Sequence, residues 1–175
     1  MKKILFAYLI IFFIGHSCKK SSSAGTSLPP GNPNNEVKAT VSIKSGTAYS
    51  LIATGNSTVY AKRTDPNGDV VITVLGSSSQ GAIHITLVNI NLPGTYTIGT
   101  ASGLAGEKYI LGSFEIGNAL LGPYEPFFVQ APPSPSGTIT LDELTANSVR
   151  GSFSMTCVGS TGTVKITNGT FKGTF

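Results

Sequence analysis

From Val149 to Cys157 the chain alternates without a break: Val149, Gly151, Phe153, Met155 and Cys157 take every second position, with Arg150, Ser152, Ser154 and Thr156 between them. Successive side chains of a strand point to opposite faces, whereas a helix brings a face round every ~3.6 residues. Only as a strand can this stretch bury one set and wet the other. The same period recurs upstream. Val37, Ala39, Val41 and Ile43 alternate with Lys38, Thr40, Ser42 and Lys44. Tyr49, Leu51 and Ala53 follow, and then Val59 and Ala61 among Thr58, Tyr60 and Lys62. Ile83, Ile85 and Leu87 face away from His84, Thr86 and Val88. Val70 to Leu75 is more continuously apolar, which predicts a strand in the middle of a sheet.

Turn residues punctuate these segments. Asp65-Pro66-Asn67-Gly68 combines a preset proline φ with a glycine free to take positive φ, and Pro93-Gly94 turns the chain into Tyr96-Thr97-Ile98. Residues 99–107 are a loop of small residues, and Tyr109 to Ile116 reads as one or two short strands. Between Gly122 and Gly137 the prolines at 123, 126, 132, 133 and 135 exclude a central strand and permit an edge strand or a long loop. Thr138 to Leu141 makes a strand, and Asp142 to Asn147 the connection to the next. Near the end, Val164 and Ile166 have one parity and Phe171 and Phe175 the other. The change across Asn168-Gly169 requires a hairpin or a one-residue bulge, and the bulge fits the few residues left. No window shows capped helical periodicity. The expected fold is therefore all-β: an antiparallel β-sandwich or meander barrel of about eight to ten short strands.

The first residues carry a different signal. After Lys2 and Lys3, the run Ile4 to Ile14 holds no charged residue, and its 11 residues suit a signal-peptide core but not a bilayer span of about 20. It ends at Gly15-His16-Ser17-Cys18, small residues around a cut followed by cysteine. This resembles the lipobox of bacterial lipoproteins, and Ser17-Cys18-Lys19-Lys20 is similar to lipoprotein starts in the Bacteroidota. The resemblance implies acylation of Cys18 and a lipid anchor in the outer membrane. Residues 19–35, rich in Ser, Pro, Gly and Asn, cannot bury enough surface to offset their ordering. They read as a flexible tether that reaches at most about 56 Å. The expected organisation is a signal peptide over 1–17, a tether over 18–35 beginning at Cys18, and one antiparallel β domain over 36–175.

The C-terminal strands carry a second resemblance. Gly137-Thr138-Ile139-Thr140-Leu141, Val149-Arg150-Gly151-Ser152-Phe153-Ser154-Met155 and Val164-Lys165-Ile166-Thr167-Asn168-Gly169-Thr170-Phe171 resemble the end of an uncharacterised β-rich domain of small Bacteroidota lipoproteins, and Gly94-Thr95-Tyr96-Thr97-Ile98 matches a further piece. That family implies a fold and a location, and no activity.

Charge limits the partners. The chain has a net charge of +4, but Lys2, Lys3, Lys19 and Lys20 lie before residue 36, so the remainder is neutral, with eight basic against eight acidic residues. No basic patch supports nucleic-acid binding. Membrane contact through the lipid anchor, and a protein or glycan partner in the envelope, are the partners expected.

Chemistry-bearing groups are sparse. With His16 in the signal, His84 is the remaining histidine, set on a solvent-facing position. It would serve catalysis only if a serine and a carboxylate converged on it, and no Gly-x-Ser-x-Gly is present. The run Gly76-Ser77-Ser78-Ser79-Gln80-Gly81 reads as a polar hairpin loop. Cys157 alternates with polar residues and is expected in the core as a structural thiol. Asp65 with Asp69, and Asp142 with Glu143, read as turn carboxylates rather than a catalytic pair, and Asp65, Asn67 and Asp69 lack the further acidic ligand of a calcium loop. Gly99, Gly103 and Gly106 lack phosphate-loop spacing. No cofactor, metal site or catalytic residue is expected. Tyr124, Phe127 and Phe128 form a candidate interaction surface, unless Phe127 and Val129 cap the core instead. The reading favoured by these residues is a non-catalytic envelope lipoprotein with a binding or structural β domain. A lipocalin-like barrel carrying a small apolar ligand is the alternative, and a hydrolase a more distant one.

Overall fold

A computed structural model describes residues 34–44, 46–55, 59–64, 70–99, 106–116, 125–129 and 137–175, with backbone alone for 59–64 and 125. These residues hold eleven strands and no helix. In chain order they are β1 (Glu36–Ile43), β2 (Tyr49–Thr54), β3 (Val59–Thr64), β4 (Val71–Ser78), β5 (Gly81–Val88), β6 (Gly94–Thr97), β7 (Tyr109–Ile116), β8 (Glu125–Phe128), β9 (Gly137–Leu144), β10 (Ser148–Gly159) and β11 (Gly162–Thr174). The fold is all-β, as its alternation requires, with one to three strands more than the turn spacing suggests. Part of the excess comes from the short strands β6 and β8.

All pairings are antiparallel, in the order β2-β1-β11-β10-β8-β7-β5-β4-β3, and β9 pairs with both β10 and β6. The sheet is nearly closed into a barrel. Its two ends curl round so that β2 lies against β4 and β3 against β11. At that approach Gly76 of β4 meets Val37 of β1, leaving no room for a β-carbon. The connections are only partly a meander. β5 pairs with β7 rather than β6, and β1 with the C-terminal β11.

β10 is long enough to change partners. Val149 to Met155 run beside β9, whereas Val158 pairs with Phe128 of β8. β8 is thus interior to the sheet despite Pro126, against the expectation that proline would confine it to an edge. Pro126 is tolerated because β8 pairs with β7 along its length but meets β10 at Phe128 alone. β6 continues beyond β9 towards β7: the Ile98 N–H donates to the Gly137 carbonyl (3.0 Å) and the Gly99 N–H to that of Ile110 (2.8 Å).

The parity change in β11 is a bulge inside one continuous strand. Register shifts between Phe153 and Met155 on β10 and between Lys38 and Thr40 on β1, and Asn168 takes φ 51°. Each face keeps its sorting: Val164 and Ile166 before the bulge and Phe171 after it are all buried. The core fills the inside of the sheet with Leu51, Ile72, Ile85, Phe114, Phe127, Ile139, Val149, Cys157 and Ile166, each fully covered. A buried side chain of this size contributes about 1.5–3 kcal/mol.

Asn35 is buried; its side-chain oxygen accepts from the Thr174 N–H (2.9 Å) and its carbonyl from the Gly55 N–H (2.9 Å). Residues 1–33, with Cys18, lie outside the described residues.

Candidate functional site

The alternation that fills the inside of the sheet fixes what covers the outside. On β6, β9, β10, β11 and β1 the outward positions are largely hydroxyl-bearing. One cross-strand row runs Thr95, Thr140, Ser152, Thr170, Lys38. The next holds Thr97, Thr138 and Ser154 on one side of the β11 bulge, and Thr167 and Thr40 on the other. Directly opposed residues of one face come close enough to bond. Thr95 and Thr140 hydroxyls are 3.0 Å apart, and those of Thr138 and Ser154 3.5 Å.

This face is indented where β10 exchanges β9 for β8. The described part of β9 begins at Gly137, opposite Met155. A β-carbon on Gly137 would stand 2.8 Å from both the Met155 β-carbon and the Ser154 carbonyl oxygen, so glycine lets the start of β9 lie close over β10. A shallow groove of about 410 Å³ lies on this face, lined by Thr97, Thr138, Ser154, Thr156, Thr167 and Lys165 over Met155 and Ile166. The groove is open to solvent rather than enclosed. Lys165 stands opposite Thr156 on one side and Ser42 on the other, both uncharged. Elsewhere on the face Lys38 is 2.7 Å from Glu36 and Arg150 3.8 Å from Glu143, and Lys172 stands opposite Glu36 and Arg150 without an ion pair among the described residues. Among the described residues no carboxylate lies within ion-pair distance of Lys165. The groove was not legible in the sequence because its side chains come from four strands, brought together by pairings of β6 with β9 and of β10 with β11.

His84 is on the outer face as expected, half-buried, with Nε2 3.3 Å from Glu115. Ser113 stands directly opposite it on β7. A serine and a carboxylate do converge on this histidine, an arrangement that sequence reasoning missed because β5 pairs past β6 to β7. The three residues lie on a sheet face, and no hydrogen bond links Ser113 to His84. The geometry offers an ion pair when the imidazole is protonated.

Cys157 is fully buried, and burial pushes its thiol from 9.0 up to about 12, so it is held as the unreactive thiol. Burial also raises the Tyr49 hydroxyl, whose oxygen has no hydrogen-bond partner among the described residues. Asp142 and Glu143 belong to β9, correcting their placement in the connection, which is only 145–147. Glu143 is fixed structurally: it accepts from the Ser148 hydroxyl (2.5 Å) and faces Arg150. Of the candidate interaction surface, Phe127 is fully buried against Phe114, its cross-strand partner, and Val129 is buried beside it. Phe128, pointing the other way, is 48% exposed. Tyr124, the Asp65–Asp69 turn and Gly103 lie outside the described residues. Among the described residues no three His, Cys, Asp or Glu side chains gather as metal ligands, and no helix is long and apolar enough to cross a membrane.

Compared with protein-family models, curated proteins and solved structures, the chain matches no family model, no curated protein and no solved structure.

Proposed function

We propose that the protein is a non-catalytic lipoprotein of the cell envelope, held to the outer membrane through acylated Cys18, whose β domain binds a glycan partner on its outer face. The observation that carries this reading is the division between the two faces of the sheet. Inside, Phe114, Phe127, Phe171, Leu51 and Ile85 occupy the space, each less than 3% exposed. An apolar ligand carried there would have to displace well-packed side chains, which costs more than filling an existing cavity. Outside, ranks of Thr and Ser offer donors and acceptors matched to sugar hydroxyls, with an open groove among them.

Co-sedimentation of the purified chain with polysaccharides from the native envelope tests the proposal. Binding should survive substitutions that leave the outer face intact and weaken when Thr138 and Thr140 are both replaced by Val. Capture of a small apolar molecule from the envelope, with no affinity for polysaccharide, would favour the carrier reading instead.

A further inference from the structure

The outer-face groove has a charge signature more specific than a run of hydroxyls. Of its six polar side chains, Thr97, Thr138, Ser154, Thr156 and Thr167 are neutral hydroxyls, and Lys165 is a cation. Lys165 is exposed, and the residues paired with it on both neighbouring strands are uncharged. A lysine ammonium carries three donors and no acceptor, so the bonds it offers are completed by water or by an incoming oxyanion. Hydroxyls beside it can donate to the same anion or accept from the alcohols of a sugar ring. Charge-assisted bonds of this type are shorter and roughly twice as strong as neutral ones. The Lys38 and Arg150 cations on the same face each stand beside a carboxylate, and Lys172, which has no ion pair among the described residues, lies outside the groove.

We infer that this groove binds an acidic saccharide, its carboxylate or sulfate on the Lys165 ammonium and its hydroxyls on Thr138, Ser154 and Thr156. The inference rests on the outer-face glycan reading above and names the ligand class of that site. Carboxylate and sulfate present the same oxyanion chemistry, and the two are separated by experiment.

The test is calorimetric titration of the purified full-length chain in detergent with oligogalacturonate, a chondroitin sulfate oligosaccharide and maltohexaose. At least one acidic oligosaccharide should bind, more weakly as salt is raised, and maltohexaose should bind at least about tenfold more weakly, the factor a charge-assisted bond carries. Lys165→Gln should reduce the acidic affinity by a similar factor, whereas Lys108→Gln, an equal loss of charge on the loop before β7, should leave it unchanged. Thr138→Val should weaken binding without altering the unfolding transition. Preference for oligogalacturonate assigns a carboxylate ligand, and preference for the sulfated sugar a sulfate ester. Equal binding of maltohexaose, or equal losses for the two lysine variants, overturns this inference and leaves the glycan reading standing. Absence of binding to all three, with capture of a protein from the envelope instead, overturns both.

Discussion

Gly169 of β11 stands directly opposite Phe153 of β10, and the Phe153 ring lies over it: a β-carbon on Gly169 would come within 2.6 Å of the ring. The ring is not free to withdraw, because Phe171 packs against it at a centroid distance of 6.1 Å, tilted by 52°. This pair sits at the bulge where the final strand changes parity, so the glycine makes room for the aromatic side chain that seals the core there. Gly169→Ala should therefore destabilise the protein by about 1–3 kcal/mol, the usual cost of overpacking. Its denaturation midpoint should fall at unchanged slope. An unchanged midpoint would show that the ring can move aside.

Two adjacent phenylalanines should behave oppositely. Phe127 is fully covered and Phe128 is 48% exposed. Phe127→Ala should cost about 3–5 kcal/mol, and Phe128→Ala about 1 kcal/mol or less. Chemical denaturation of the two variants measures both.

The Cys157 thiol should resist aromatic disulfide reagents in the folded protein and react only as fast as the chain opens. Its pKa is raised from 9.0 to about 12, so below pH 9 folded and unfolded states are both protonated and the shift adds nothing to the pH dependence. Above pH 9 the unfolded chain releases the proton while the folded one keeps it, and stability falls by up to roughly 1.4 kcal/mol per pH unit. Cys157→Ala lacks this loss. The stability difference between the two proteins should narrow as pH rises from 9 to 11, and a constant difference would contradict the burial argument.

Asn35→Ala removes the acceptor of the Thr174 N–H while keeping the backbone bond to Gly55. Losing a part-buried hydrogen bond of this kind costs about 0.5–1.5 kcal/mol. Hydrogen exchange should accelerate at Thr174 before it does in the centre of β10. Uniform exchange along both strands would mean that Asn35 does not fasten this end of the sheet.

The anchor is tested by Cys18→Ala, which should move the protein from the membrane pellet to the soluble fraction of detergent-free lysates. One acyl chain holds only marginally and several on one cysteine hold firmly, so the shift should be nearly complete. Retention of the variant in the pellet would contradict lipid anchoring.

The strands of this protein were legible because the sequence alternates so cleanly. Val149 to Cys157 gave the buried face of β10, including its cysteine, and the parity change at Asn168-Gly169 gave the bulge. Short-range rules failed where partners came from afar. Pro126 argued against an interior strand, yet β8 is interior because its proline lies where β10 has not yet met it. Asp142 and Glu143 looked like turn residues because nothing local shows that β9 extends to Leu144.

Sequence alone determined that the chain is built of strands and which side chain of each pair would be wet, since that depends only on a period of two. It could not determine which strands would be neighbours. Pairing is a matter of sheet closure and of loops that skip elements, and it alone sets His84 beside Ser113 and Glu115 and gathers Thr97, Thr138, Ser154 and Lys165 from four strands around one groove.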